Sequence, residues 1–236
     1  MTPSSQPVRG RQHLILDGDD TLWENNIYFE QAIEDFIDYL AHSSLRRDQV
    51  RTALDEIERM NTQVHGYGSA SFARNLRLTY ERLSERDLRP EDVRHVISLG
   101  ERIATQPMQL LEGVPETVAR LAQGHELTLL TKGHPEEQKL KIERSGLARF
   151  FAEAMVVREK NTETYSRLIQ ERGLEPKSTW MIGNSPRSDI NPALAAGLNA
   201  VFIPHRQTWV LEREELTQGG DRLLILERFT DLTHHF

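Results

Sequence analysis

Short apolar runs along the chain alternate with amphipathic stretches. The apolar runs cover residues 13–16, 127–130, 154–157, 180–182, 200–203 and 223–226. Runs of this length predict buried strands. Between them, helical spacing covers residues 113–124, 135–145, 161–172 and 190–196. Strands that alternate with helices in this way predict an α/β fold with a parallel sheet and helices on both faces.

The stretch from residue 27 to residue 109 differs, because its apolar residues recur at helical spacing and no strand pattern interrupts them. Phe29, Ile33 and Phe36 illustrate the period, and the segment HGYGS over residues 65–69 is a break within it. We therefore expect two domains. An α/β core takes residues 1–22 and 111–236, and a smaller all-helical domain takes residues 23–110.

Composition limits the classes of partner and chemistry. Hydrophobic residues make up 38% of the chain, enough for a packed core, and the net charge of −7 argues against nucleic acid or a membrane surface as partner. The absence of cysteine excludes disulfides, thiol catalysis and cysteine metal sites, and it fits a cytoplasmic location. Residues 1–13 are expected to be a disordered leader and not a secretory signal. A monomer and a homodimer both fit the sequence.

Two aspartates, Asp17 and Asp19, follow the first apolar run in the segment LILDGDDTLW. Carboxylates two residues apart at the end of a buried strand can face one pocket. One can then attack phosphorus as a nucleophile while the other gives and takes protons. A polar turn or a helix N-cap is the alternative interpretation of so short a pattern.

The segment from Asp17 to Thr21 resembles the first motif of the haloacid dehalogenase superfamily, which has an aspartate, any residue, a second aspartate, any residue and a threonine. The resemblance implies a Rossmann-like core and an aspartyl-phosphate at Asp17. Asp19 would protonate the leaving group and then activate the hydrolytic water. The Asp17 carboxylate and the Asp19 backbone carbonyl would bind Mg²⁺. Asp20 receives no chemical role, since this position varies in the superfamily.

Two further motifs of the superfamily follow in order. Thr131, in LTLLTKG, resembles the threonine or serine that hydrogen-bonds the transferring phosphoryl group. Lys132 and Gly133 come next as candidate substrate contacts, and Lys132 is equally well interpreted as a solvated loop lysine. Lys160 resembles the lysine that orients the nucleophilic carboxylate and offsets phosphate charge. A surface lysine near a helix start is the alternative for Lys160.

The segment WMIGNSPRSDINPALAAG resembles the fourth motif, and it contains one departure. The superfamily places an acid, usually a direct metal ligand, where this chain has Asn184. An amide oxygen can bind Mg²⁺ without bringing charge. Asp189, five residues later, could then bind the metal directly or through water. The sequence leaves open which of Asn184 and Asp189 is the direct ligand.

A helical insert between the first and second motifs forms a cap over the active site in the superfamily, and residues 23–110 occupy this position. His65, Tyr67 and Arg74, in or beside the break in the helical stretch, are candidate substrate contacts. Each of them could instead cap a helix or belong to a solvated loop.

These motifs together imply a Mg²⁺-dependent phosphohydrolase acting on a small phosphorylated metabolite. Asp19 favours an oxygen leaving group, because dehalogenases of the superfamily lack an acid at this place. A phosphomutase or phosphotransferase of the superfamily would share Asp17 and Asp19 and is an open alternative. Asn184 keeps a catalytically weak binding protein as a second alternative.

Overall fold

The computed structural model of this protein describes Val8 and residues 10–236. The expected disordered leader falls mainly on residues 1–7 and 9, which lie outside the described residues. The described strands are β1 (His13–Leu16), β2 (Glu126–Lys132), β3 (Glu153–Val157), β4 (Thr179–Gly183), β5 (Asn199–Phe202) and β6 (Leu223–Ile225). The α-helices are α1 (Asn26–Leu40), α2 (Arg47–His65), α3 (Ser69–Leu83), α4 (Pro90–Glu101), α5 (Val114–Gly124), α6 (Pro135–Ser145), α7 (Thr162–Arg172) and α8 (Asn191–Ala195).

Short helical turns link these elements. The 3₁₀ turns are Arg102–Thr105, Ala148–Phe150, Pro176–Ser178, Val210–Glu212, Gly220–Arg222 and Phe229–His234, and Pro186–Ile190 is a π-helical turn. The helix predicted over residues 190–196 is therefore shorter than expected, because the wider turn precedes it. Pro192, which has no N–H to donate, lies in the first turn of α8, where none is needed.

The six strands form one parallel sheet in the order β3-β2-β1-β4-β5-β6. β1 is central, since Leu14 pairs with Leu127 of β2 on one side and with Trp180 of β4 on the other. β2 extends beyond the predicted residue 130, because its ladder with β3 continues to Lys132. Lys132 therefore lies in a strand, where a loop was expected, and Thr131 lies beside the strand's last residue.

Both faces of the sheet are buried under helices. Leu14 and Leu16 of β1 belong to a core that includes Val118 of α5 and Ile142 of α6. Ile15, which points to the opposite face, belongs to a core with Leu168 of α7. The predicted α/β class with helices on both faces, and a smaller all-helical part, is confirmed.

The chain divides into two compact units. One comprises the described residues up to Glu24 together with Met108–Phe236, and the other comprises Asn25–Pro107. The second unit contains α1 to α4, whose apolar faces share a core that includes Phe36, Leu54 and Leu76. Among the described helices, none is long and apolar enough to cross a lipid bilayer.

Candidate active site

Asp17 lies at the carboxyl end of the central strand β1. Its backbone N–H donates to the carbonyl of Ile182 in β4 at 2.9 Å, so the sheet holds its backbone in place. Polar groups that follow neighbouring parallel strands meet at this edge of a sheet, where ligands bind in open α/β folds. Thr131 of β2 and Asn184 after β4 reach the same edge.

A buried ion cluster surrounds the Asp17 carboxylate. The Lys160 ammonium donates to Asp17 Oδ1 and to Asp189 Oδ1, and it lies 3.4 Å from the carbonyl of Leu130. Lys160 and Asp17 are buried, and Asp189 is 0% exposed. Two carboxylates thus share one ammonium away from water, which leaves an excess of buried negative charge.

This charge balance shifts the acidities of the cluster. Burial and the neighbouring Asp189 carboxylate raise the pKa of Asp17 to about 7, although Lys160 opposes the shift. Burial acts to lower the pKa of Lys160, but the Asp17 and Asp189 carboxylates raise it well above its ordinary value. Lys160 is therefore a fixed cation, and a further cation beside Asp17 would favour the ionised form of its carboxyl group.

Two oxygen atoms converge on the Thr21 hydroxyl. Thr21 Oγ1 lies 3.0 Å from Asp17 Oδ2 and 3.3 Å from Asn184 Oδ1, and all three residues are buried. The other amide atom, Asn184 Nδ2, donates to Thr208 Oγ1 at 3.4 Å. Carboxylate and amide oxygens suit a hard divalent cation, and the excess negative charge would be offset by one. Asp17 and Asn184 therefore fit a divalent metal.

Asp189 is held by partners on both of its oxygens. Oδ1 accepts from Lys160, and Oδ2 accepts from the backbone N–H of Ser185 at 2.9 Å. Gly183 is needed beside it, because a Cβ at that position would lie 2.2 Å from Asp189 Oδ2. The glycine of the fourth motif thus has a steric reason in the packing of this chain.

Asp19 has a separate environment, built mainly by helix α6. Its Oδ1 accepts from Trp23 Nε1 at 2.6 Å and from Lys141 Nζ at 2.9 Å, and its Oδ2 accepts from Gln138 Nε2 at 2.8 Å. Burial alone would raise the pKa of this carboxyl, but the Lys141 ammonium and these hydrogen bonds hold it below its usual value. Asp19 is partly exposed, with 22% of its side chain accessible.

Sequence reasoning missed Gln138 and Lys141. They are three residues apart on α6, so both side chains lie on the same face of the helix, and α6 begins two residues after Gly133. The sequence signal that could have identified them is a polar pair at helical spacing directly after a strand that carries a predicted catalytic residue. Trp23 packs in the core, and it also donates its indole N–H to Asp19.

The residues of the second predicted motif contact different partners. Thr131, 1% exposed, donates to Gln138 Oε1 at 3.2 Å, and Gly133 lies beside the same glutamine side chain. Lys132 Nζ donates to Ser188 Oγ at 2.8 Å and to Glu212. Burial tends to raise the pKa of Glu212, but Lys132 and the neighbouring serines lower it below its ordinary value.

Glu212 was not predicted from the sequence, and it joins three elements. It accepts from Lys132 of β2 with one carboxylate oxygen and from Ser185, after β4, with the other. It ends the 3₁₀ turn Val210–Glu212 after β5, where no sequence pattern identified it. The candidate substrate contact Lys132 is therefore already ion-paired in this arrangement.

His65, Tyr67 and Arg74 belong to the helical unit. The Arg74 guanidinium lies 2.9 Å from His65 Nε2, which brings the end of α2 beside α3. Tyr67 lies in the short link between these helices. Both His65 and Arg74 are exposed side chains of this unit.

Residues 12–197 match the family model of the haloacid dehalogenase-like hydrolases. The chain belongs to this family. A hydrolase of the family from Xanthomonas campestris has a similar structure, with a TM-score of 0.81 and 29% identity over 95% of this chain and 93% of that one. Dehalogenases share the fold at 13–18% identity and TM-scores of 0.60–0.65, among them 2-haloacid dehalogenases from Pseudomonas syringae and Xanthobacter autotrophicus.

Two curated relatives in the family are phosphatases. A phosphoserine phosphatase of Thermus thermophilus is 30% identical over 98 residues, covering 38% of this chain and 39% of the relative. A glyceraldehyde 3-phosphate phosphatase of Methanothermobacter thermautotrophicus is 25% identical over 132 residues, covering 52% of this chain and 58% of the relative. The matched region thus spans about two fifths and three fifths of these two relatives.

Proposed function

We propose that this protein is a phosphohydrolase that cleaves a small phosphomonoester through an aspartyl-phosphate at Asp17. The observation that carries the proposal is the second acid, Asp19, held at the end of β1 by three side-chain donors. An alkoxide leaving group needs a proton and a halide does not. A fixed acid beside the nucleophile therefore favours phosphate esters over haloacids, and the two phosphatase relatives support the same choice.

Asp17 would attack phosphorus with one carboxylate oxygen, forming the O–P bond as the ester O–P bond breaks. Lys160 contacts Oδ1 and orients the carboxylate. In the second half-reaction, water would attack phosphorus, and Asp17 would leave as a carboxylate. Thr131, at the end of β2, would hydrogen-bond the phosphoryl group during both steps.

Asp19 would serve as acid in the first step and as base in the second. Its carboxyl is held ionised before substrate binds, which suits the base. A phosphate dianion beside it would raise its proton affinity, since like charges disfavour ionisation. The bound ester would thereby raise the pKa of Asp19, so that Asp19 carries the proton that the leaving group requires.

We propose Mg²⁺ as the metal, held by the Asp17 carboxylate, the Asp19 backbone carbonyl and Asn184. When bound, Mg²⁺ would offset the charge of the phosphoryl oxygens. Asn184 is favoured over Asp189 as direct ligand, because both oxygens of Asp189 already accept from Lys160 and Ser185. Asp189 would then position Lys160 and complete the charge balance around the metal.

The substitution Asn184→Asp is expected to tighten Mg²⁺ binding, because it adds a negative charge to an oxygen that faces Asp17. Isothermal titration with Mg²⁺ measures the change in Kd. Asn161→Asp is the matched control, since this exposed N-cap of α7 lies outside the metal ligands and aspartate caps a helix equally well. An unchanged Kd in Asn184→Asp would remove Asn184 from the ligands.

Lys141→Met is expected to lower kcat by about 10- to 100-fold, because Asp19 loses its charge-assisted hydrogen bonds. KM should change less, since the role is positioning and not substrate binding. Lys139→Met, an exposed lysine on the same helix, is the control. Equal kcat values in the two variants would show that Lys141 has no part in the reaction.

The helical unit is proposed as a cap that recognises the substrate, with His65, Tyr67 and Arg74 as contacts. Lys132 and Gly133 are proposed contacts in the α/β unit.

A screen of phosphorylated metabolites for release of inorganic phosphate, with and without Mg²⁺, tests the proposed phosphatase activity and identifies the substrate. Release of halide from a 2-haloacid, without phosphatase activity, would overturn it. Transfer of phosphate to a second sugar in a single turnover would identify a phosphotransferase instead.

A further inference from the structure

A second group of metal-ligating side chains comes from the segment after β1 and the segment after β5. Asp20, Glu24 and His205 each offer one ligand atom, and these atoms all lie within 4.8 Å of one another. His205 Nε2 is 3.4 Å from Glu24 Oε2, and His205 Nδ1 is 3.8 Å from Asp20 Oδ1. Asp20 and Glu24 flank Trp23, and His205 comes from the segment after β5. Among the described residues, this is the one group of three such side chains within that distance.

The group contains buried polar atoms whose hydrogen-bonding capacity is unused. Glu24 Oε2 and His205 Nδ1 are both shielded from solvent, and neither has a hydrogen-bond partner among the described residues. The side chains are 10% and 11% exposed, so water does not readily compensate them. Buried polar atoms are normally satisfied, and two unsatisfied atoms within one group of ligating side chains point to a missing ligand.

The electrostatics identify the ligand as a cation. Two carboxylates face one imidazole, and Arg206, the cation nearest along the chain, opposes protonation of the ring. Burial lowers the pKa of His205 below its usual value, although Glu24 acts in the other direction. Histidine binds a metal through a neutral imidazole, and the two carboxylates beside the ring each offer an oxygen to the same cation.

We propose that Asp20, Glu24 and His205 form a second metal site, separate from the centre at Asp17, that binds a first-row transition cation such as Mn²⁺ or Zn²⁺. Nitrogen from histidine with two carboxylate oxygens is a donor set that these ions accept. Mg²⁺ prefers oxygen donors in a strict octahedron, so it suits the Asp17 centre better. The two centres therefore differ in donor chemistry as well as in position.

An ion at this site would tie the loop after β1 to the segment after β5. The same segment reaches the Asp17 centre, because Thr208 Oγ1 donates to the His205 carbonyl at 2.8 Å and accepts from Asn184. The proposed ion would thus brace the loop that orients Asn184. The binding site itself does not depend on the proposed phosphatase activity.

Electron spin-echo spectroscopy of the full chain loaded with Mn²⁺ tests the site directly. A nitrogen bound to Mn²⁺ modulates the echo through ¹⁴N hyperfine coupling, and the donors proposed at the Asp17 centre are all oxygens. We expect ¹⁴N coupling from directly bound nitrogen in the wild type and its loss in His205→Gln. The ¹⁴N coupling should persist in His13→Gln, the control variant. His13 also lies near a carboxylate, with its Nδ1 3.6 Å from Glu126 Oε1.

Equilibrium dialysis with Zn²⁺ independently measures the number of ions bound per chain. The wild type should bind one more ion per chain than either His205→Gln or Glu24→Gln, and Zn²⁺ should raise the Tm of the wild type more than that of the variants. The Glu24→Gln variant serves if His205→Gln fails to fold. Absence of ¹⁴N coupling in wild-type protein saturated with Mn²⁺ would overturn the proposal. Equal Zn²⁺ counts in the wild type and a folded variant would do the same.

Discussion

Asp17→Asn is expected to abolish phosphate release, because an amide cannot form the acyl-phosphate that the proposed reaction requires. Rapid quenching after one turnover with a ³²P-labelled ester should trap labelled wild-type protein and leave the variant unlabelled. Asp221→Asn, an exposed acid of the same unit, should label like the wild type. Label on the Asp17→Asn protein, or turnover close to wild type, would contradict the mechanism.

An asparagine followed by Gly18 is prone to deamidation, which would regenerate the nucleophile. Residual activity in Asp17→Asn should therefore increase on storage if it comes from reverted protein. Asp17→Ala provides the confirming variant, because it cannot revert in this way. Both variants should be inactive when freshly prepared.

The same substitution should stabilise the metal-free protein at neutral and alkaline pH. The pKa of Asp17 is raised from 3.8 to about 7 on folding, because burial and Asp189 disfavour its charge. Between these pH values, the unfolded chain loses a proton that the folded chain keeps, so stability falls as pH rises and then levels off above about 7. In EDTA at pH 8, Asp17→Asn should unfold at a higher Tm than the wild type, whereas a lower Tm would contradict this assignment.

Asp19→Asn is expected to slow turnover by about 10²–10⁴-fold, the usual range for loss of a general acid–base. The amide can keep a hydrogen bond but cannot carry the proton. The size of the defect should depend on the leaving group. A nitrophenyl phosphate departs without much help from an acid, so its first half-reaction should be slowed less than that of an alkyl phosphate.

Rapid-quench measurements separate the two half-reactions of the Asp19→Asn variant. With a nitrophenyl ester, the labelled aspartyl-phosphate should form and then accumulate, because no base activates the hydrolytic water. An equal loss of rate with both esters, without accumulation, would show that Asp19 transfers no proton. Lys141→Met should give a smaller defect in both half-reactions, since the acid itself is retained.

The sequence predicted the strands and helices well, because their apolar periods are local properties. Helix α6 begins at Pro135 and ends at Ser145, the bounds that the helical spacing predicts. The ladder between β2 and β3 was underestimated, because pairing through Lys132 depends on a strand more than twenty residues later. Local pattern cannot tell where such a ladder stops.

The candidate site was predicted only in part, for the same reason. Asp17 and Lys160 were singled out, and they lie together in the structure, although their roles are still predictions. Gln138, Lys141 and Glu212 were missed, since their contacts depend on the orientation of α6 and on an irregular segment. His205 carried no distinguishing pattern either, and only the fold brings it to Asp20 and Glu24.

The central position of β1 has a consequence for the order of folding. Leu14 must pair with residue 127 on one side and residue 180 on the other, both more than a hundred residues away in the sequence. Helices α1 to α4 instead form a unit from one continuous stretch of chain, so their contacts join residues closer in sequence. Contacts of high sequence separation form slowly, because a long chain must be closed before they contribute. We therefore expect the helical unit to form first during refolding. Asp17 should reach its final environment in the slow phase, so activity should recover after most of the helical signal has returned.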